Sequence, residues 1–279
     1  MKLKVYGCRG SVPMSRSLRS RYGGNTSCIS LESEGETILF DAGSGILRME
    51  GDMKELYPNY PKDLPFRPTI LLSHLHLDHI IGLAAFQAAY NPDAGTRIFT
   101  CNRGGGSLVS QVLGAFVPPY WPLSMETIAH IECIEVFDNI PFKIGHLVVT
   151  PFYASHPNKT TSFQVTDGKR TVVHLLDNEV ELMDEQQYAT LVSYCKNADV
   201  VVFDSAYTAE EYESKRGWGH STVEHGVKLA NICGCERMLF SHFSPGYSDQ
   251  ELDALIAYLI PHGYGSRFML CNDGLEIEI

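Results

Sequence analysis

No stretch of the 279 residues is apolar for long enough to span a bilayer. The opening MKLKVYGCRG has no long apolar segment and no small-residue cleavage site, so a secretory leader is not expected. Cations are outnumbered: 22 Lys and Arg stand against 33 Asp and Glu, a net charge of −11, which argues against a broad cationic footprint for nucleic acid. A small anionic ligand remains open if metal ions supply positive charge locally. No two of the eight cysteines are spaced C-x-x-C, which excludes a zinc ribbon and a small disulfide framework. In a chain without a leader, scattered cysteines are expected to be reduced thiols in the cytoplasm, mostly buried as small apolar residues. There is no low-complexity tract, no fixed-period repeat and no long linker, so residues 1–279 are read as one domain.

What is present is a mixture of strand pairs and helices, which points to a layered α/β domain. CISLES and TILFDAG flank EGE as a hairpin, and TILL, RIFTC, HLVVTPFYAS, RTVVHLL, ADVVVFDS and RMLFS read as further strands. Residues 51–68 carry four prolines and read as a surface connection. IIGLAAFQAAY is apolar nearly all round and predicts a buried helix. STVEHGVKLANICG and SDQELDALIAYLIPHG predict helices, each opened by an S-x-x-E capping box, at Ser221/Glu224 and Ser248/Glu251, with Gly234 ending the first.

Chemistry concentrates in LLSHLHLDHI, residues 71–80, which holds His74, His76, Asp78 and His79. An H-x-H pair on extended backbone sends both rings to one side, so His74 and His76 can grip one ion, while Asp78 and His79 on the next turn can reach a second. Three apolar runs end in Ser-His: TILLSH at His74, VTPFYASH at His156 and RMLFSH at His242. A fourth, RTVVHLLD, ends in Asp177, and Asp204 at the end of VVFD competes with it as a carboxylate bridging two ions. Imidazoles and carboxylates in this number suit two divalent cations: zinc first, with manganese or iron as alternatives. Two ions about 3.5–4 Å apart can share a hydroxide and clamp both the attacked group and the leaving oxygen.

SHLHLDH resembles the signature of the metallo-β-lactamase-fold hydrolases, and His156, Asp177 and His242 follow in that family's order. The resemblance extends from VYGCRGSVP and ILFDAGSG to SHFSPGYSD, nearly the whole chain, and is strongest to the ribonuclease Z and phosphodiesterase-like branch. It implies an αββα sandwich of two mixed sheets. It also implies one metal on His74, His76 and His156, a second on Asp78, His79 and His242, and Asp177 between them in preference to Asp204. GHSTVEH resembles the branch's His-Ser-Thr motif and marks His220 as proton donor to the leaving oxygen, so Asp78 and His220 are the candidate catalytic residues. The bridging aspartate departs from the family's Gly-Asp-Thr, standing here as Leu176-Asp177-Asn178. Ribonuclease Z carries a tRNA-gripping arm between the equivalents of His156 and Asp177. Here only twenty residues intervene and read as a hairpin, which argues against tRNA.

The resulting expectation is a dinuclear metal-dependent phosphodiesterase acting on a small anionic substrate, such as a cyclic nucleotide, with no membrane partner and with a homodimer as a candidate assembly. The first rival is hydrolysis of a thioester, lactone or β-lactam on the same metals, and the second a non-hydrolytic di-iron redox or sensing module. NRGGGS (102–107) lacks a P-loop lysine and reads as a turn. FVPPYWPLSM (116–125) is either a wall over the metals or a loop tucked on the core. Arg9 and Arg21 read as solvated loop residues that an anion could also meet.

Overall fold

Runs of Val, Ile, Leu and Phe assemble into two seven-stranded mixed sheets in a computed structural model that describes residues 1–15, 20–63 and 66–279. Residues 16–19 of the N-terminal loop and 64–65 of the proline-bearing connection lie outside the described residues. In the first sheet β1 (Lys2–Gly7), β2 (Cys28–Ser33), β3 (Glu36–Phe40), β4 (Thr69–Leu71), β5 (Thr96–Thr100) and β6 (Ile131–Glu135) follow chain order, with β14 (Glu276–Glu278) added beside β1. The second runs in order from β7 (Phe142–Ile144) through β8 (Leu147–Ala154), β9 (Thr160–Thr166), β10 (Thr171–Leu175), β11 (Val200–Asp204) and β12 (Arg237–Ser241) to β13 (Phe268–Leu270). Each sheet begins antiparallel and ends parallel, with β3 to β6 and β10 to β13 pairing in parallel. Parallel strands share one direction, so their C-terminal ends gather at one edge.

The sheets pack face to face over Leu3, Phe40 and Leu71 from one and Phe163, Val173 and Leu175 from the other, all fully buried. Each such side chain contributes about 1.5–3 kcal/mol of burial, so the separation of the two strand-end rims is set by the core rather than by loops. Outside the first sheet lie α1 (Gly45–Leu56), α2 (Leu77–Ile80), α3 (Gln87–Tyr90), α4 (Leu108–Leu113) and α5 (Met125–Ile128), burying Ile46, Met49, Phe86 and Met125. With the second sheet go α6 (Glu185–Cys195), α7 (Ala209–Lys215), α8 (Val223–Cys233) and α9 (Asp249–Leu259), of which α6 and α8 pack on β8, β11 and β12. This is the αββα order. Among the described residues, no helix is long and apolar enough to cross a membrane.

Four local expectations are corrected. IIGLAAFQAAY is not one helix: Ile81–Ala84 is a 3-10 turn, and α3 is a separate single turn. Gly82 donates to Ala42 O, and a Cβ there would stand 2.3 Å from Gly43 O, so the chain is pressed against that loop and leaves helical geometry. The helix α1 extends to Leu56 into the stretch read as a connection, because Ile46, Met49 and Met53 recur at helical spacing and are buried. The cap of α8 is Thr222 with His225, not Ser221 with Glu224, because the Ser221 hydroxyl is committed to Asn178 O at 2.6 Å. Arg9 is not solvated: it is fully buried and donates to the carbonyls of Gly23, Ser244 and Tyr247. The box at Ser248 and Glu251 and the Gly234 stop form as expected. All eight cysteines are free, and seven are buried. The 116–125 loop tucks onto the core through Phe116 and Met125.

Candidate metal centre

After β4 the chain stays extended to His76 and then turns into α2, so His74 and His76 project together, their ring centroids 4.4 Å apart. His156 lies two residues beyond β8 and Asp177 two beyond β10; Asp204 ends β11 and His242 directly follows β12. The registers Leu175↔Phe203 and Asp204↔Ser241 hold these last three side by side.

Two ligand clusters meet at Asp177, and a further grouping of Asp177, Asp204, His220 and His242 lies beside them. In the first, His156 Nε2 is 3.4 Å from His76 Nδ1, and His74 Nε2 is 3.6 Å from Asp177 Oδ1. In the second, His79 Nε2 lies 3.2 Å from Asp78 Oδ2, 3.2 Å from His242 Nε2 and 3.0 Å from Asp177 Oδ2. His242 Nε2 closes that group, 3.2 Å from Asp78 Oδ2 and 3.3 Å from Asp177 Oδ2. Ligands at about 2.0–2.1 Å from a tetrahedral ion stand roughly 3.3–3.4 Å apart, which is the spacing found. His74 Nε2 and Asp177 Oδ2 are buried without hydrogen-bond partners. The donor set fits two borderline cations, and among the described residues Asp177 turns one oxygen to each cluster.

Asp204 is otherwise engaged. Its Oδ2 accepts from His220 Nδ1 at 2.8 Å and from the Asp177 N–H at 2.9 Å, while Oδ1 accepts from the Ala206 and Ser221 amides. His220 stacks on His242 with centroids 5.0 Å apart and borders His156 at 5.4 Å, so it stands at the wall of the site rather than within either cluster.

The outer ring nitrogens are anchored, which aims the inner ones. His79 Nδ1 bonds Asp41 Oδ2 at 2.7 Å, His74 Nδ1 bonds Ser73 Oγ at 3.1 Å, and His156 Nδ1 donates to Gly219 O at 3.1 Å. The Asn158 amide lies 2.6 Å from His76 Nε2. Burial pushes His74 well below its ordinary value, keeping the ring neutral with a lone pair to give. Burial also opposes charge on His79, but the carboxylates of Asp177, Asp78 and Asp41 outweigh it and raise that ring well above the ordinary range. Asp177 is desolvated too, yet His242, His79 and His74 hold it well below the usual carboxylate range.

Close approach explains two glycines. A Cβ on Gly10 would stand 2.4 Å from the His242 ring, and one on Gly219 1.9 Å from His156 Nδ1.

The structure brings together all seven side chains that the sequence singled out as ligands, and behind them stand Asp41, Asn158 and Gly219, which the sequence did not single out. Asp41 carried a usable signal, an apolar strand ending in an acid like that before Asp177. Asn158 and Gly219 carried none. Arg21 pairs with Asp253, and Arg9 ties loops together, so neither belongs to the centre.

Residues 36–243, which include His74, His76, Asp78, His79, His156, Asp177, His220 and His242, match the family model described as Beta-lactamase superfamily domain. The chain belongs to the β-lactamase superfamily. Within it, the chain is 22% identical to the ribonuclease Z of Bradyrhizobium diazoefficiens, over 93% of this chain and 95% of that one. The fold is shared with Zn(2+)-bound PqqB from Methylobacterium extorquens at a TM-score of 0.75 and 15% identity, covering 100% of both chains. It is shared also with a diphosphatase from the PhnP family, at a TM-score of 0.68 and 17% identity, covering 100% of this chain and 97% of that one.

Proposed function

We propose that this metal-dependent hydrolase is a phosphodiesterase that cleaves a small anionic phosphodiester with two divalent ions, zinc in the first instance. His74, His76 and His156 would hold one ion and Asp78, His79 and His242 the other, with Asp177 shared. Bound there, such ions supply positive charge for phosphoryl oxygens and bring the pKa of water toward neutrality.

The residues of the chain do the rest. Ser11 N–H donates to Asp78 Oδ2 at 2.7 Å, fixing that carboxylate beside His79 and His242. Asp204 accepts a hydrogen bond from His220 Nδ1, so that with a second proton on the ring it is the Nε2 proton that would be handed to a leaving alkoxide, His220 ending as the neutral Nδ1–H imidazole. This pair carries the reading, because a proton donor beside the ligand clusters serves a poor leaving group such as a sugar hydroxyl. A carbonyl substrate with a good leaving group has less need of it. Full-length similarity to a ribonuclease Z and fold similarity to a diphosphatase agree with phosphorus as the centre attacked. The segment between His156 and Asp177 forms the β9–β10 hairpin inside the second sheet, which supports a small substrate over tRNA. The free thiols suit a reducing compartment such as the cytoplasm.

Zinc-loaded protein should hydrolyse bis-p-nitrophenyl phosphate in preference to a p-nitrophenyl thioester. His220→Ala should keep both metals and lose about 10²–10⁴-fold on diesters with alkoxide leaving groups. Faster thioester cleavage, or a His220→Ala variant equal to wild type on alkoxide diesters, would overturn the reading.

A further inference from the structure

Glu179 is 1% exposed and forms no ion pair among the described residues, an uncommon state for a carboxylate. It is held by three donors instead. Its Oε1 accepts from Tyr212 Oη at 2.9 Å and from the Gly217 N–H at 2.8 Å, and its Oε2 accepts from the Gly219 N–H at 2.8 Å. Both glycines have positive φ, +89° and +93°, so the loop between α7 and α8 is bent tightly around this side chain. The same loop touches the metal centre twice. Gly219 O accepts the Nδ1 proton of His156, and His220 follows directly in the chain.

We propose that Glu179 is a positioning residue that clamps the Gly217–Gly219 turn, and so sets the Nε2 of His156 toward its ion and His220 toward the leaving oxygen. The second half of this rests on the phosphodiesterase reading; the first does not. Bonding of Nδ1 to the Gly219 carbonyl fixes the tautomer of His156, leaving its Nε2 lone pair for a ligand bond. A carboxylate is required because both oxygens must accept. A glutamine of the same size would set an N–H donor against the N–H of either Gly217 or Gly219. A side chain on Gly219 would collide with His156, so the turn must stay bare at that position.

The test compares wild type, Glu179→Gln and His220→Ala on two phosphodiesters, one losing p-nitrophenolate and one losing an alkoxide. Zinc affinity is read by chelator competition and folding by Tm. Glu179→Gln is expected to bind one of two zinc ions about 10–100-fold more weakly. At saturating zinc it should lose about tenfold or more in kcat on the alkoxide diester and much less on the p-nitrophenyl diester, with KM nearly unchanged. Wild-type zinc affinity with a wild-type ratio between substrates would overturn the proposal. So would equal losses on both substrates that follow a lower Tm, which mark a purely structural role. If His220→Ala shows no leaving-group dependence, the phosphodiesterase reading fails, and the zinc arm still decides the clamp through His156. Should Glu179→Gln not fold, Glu179→Asp, one methylene short of reaching both amides, must shift zinc affinity in the same direction for the proposal to stand.

Discussion

The Nδ1 atom of His220 stands 2.8 Å from Asp204 Oδ2, and the same oxygen accepts the backbone N–H of Asp177 at 2.9 Å. One buried carboxylate thereby orients the proposed proton donor and the residue shared by the two ligand clusters. Asp204→Asn would present an amide where two donors need an acceptor. It is expected to lower kcat on alkoxide diesters by about 10²-fold, the lower end of what general acid catalysis contributes, while p-nitrophenyl diesters suffer less. Steady-state kinetics on the two substrates checks this, and an equal loss on both would assign Asp204 to scaffolding alone.

Gly10 approaches His242 so closely that a Cβ would sit 2.4 Å from its ring. Gly10→Ala is therefore expected to displace one ligand of the second cluster with the rest of the centre untouched. Bound zinc, counted by elemental analysis after dialysis, should fall toward one ion per chain, and activity should fall with it.

Ion binding should also be visible as stability. Asp78, His79, Asp177 and His242 are all 5% exposed or less, so an ion there is bound by the folded chain alone. At zinc a hundredfold above its Kd the gain is about 2.7 kcal/mol, which corresponds to a rise of several degrees in Tm. A chelator should abolish both that rise and turnover. Calorimetry with and without zinc is the check, and a Tm indifferent to zinc would count against the centre.

His174 gives a pH dependence of its own. The ring is 1% exposed, stacks on Phe40 at 4.8 Å, and has no hydrogen bond on either nitrogen. Burial, only partly opposed by Asp41, lowers it from 6.5 to about 4. The unfolded chain therefore binds a proton that the folded chain refuses. The stabilising effect of the neutral ring is complete above pH 6.5 and is lost as pH falls toward 4, about 3 kcal/mol in all. Urea unfolding of wild type and His174→Phe across this range should show the variant losing less stability on acidification.

Much of this was legible beforehand because ligand chemistry is local. His74, His76, Asp78 and His79 fall within six residues of chain, and the Ser-His ends of β8 and β12 repeat the pattern. The anchors were not legible, because Glu179 meets Gly219 only through a turn forty residues away whose shape depends on two positive-φ glycines. Capping at Thr222 was missed for a related reason: a tertiary bond from Ser221 to Asn178 overrode a local motif. The nearly unbroken apolar run IIGLAAFQAAY suggested a buried helix, where packing of Gly82 against Gly43 forbids one. The family's order already favoured Asp177 over Asp204, and the direction of each oxygen adds a physical reason: Asp177 faces both clusters while Asp204 faces His220.

Asp41, Asp177 and His242 have positive φ values of 61°, 54° and 64°, although none of them is glycine. Each such residue costs about 1–3 kcal/mol, and the sheets behind them must make up the difference. Selection for heat resistance alone would thus act against the centre, favouring glycine or asparagine at these three positions before most others. A chain relieved in this way would outlast its parent on heating and have no reaction left to protect.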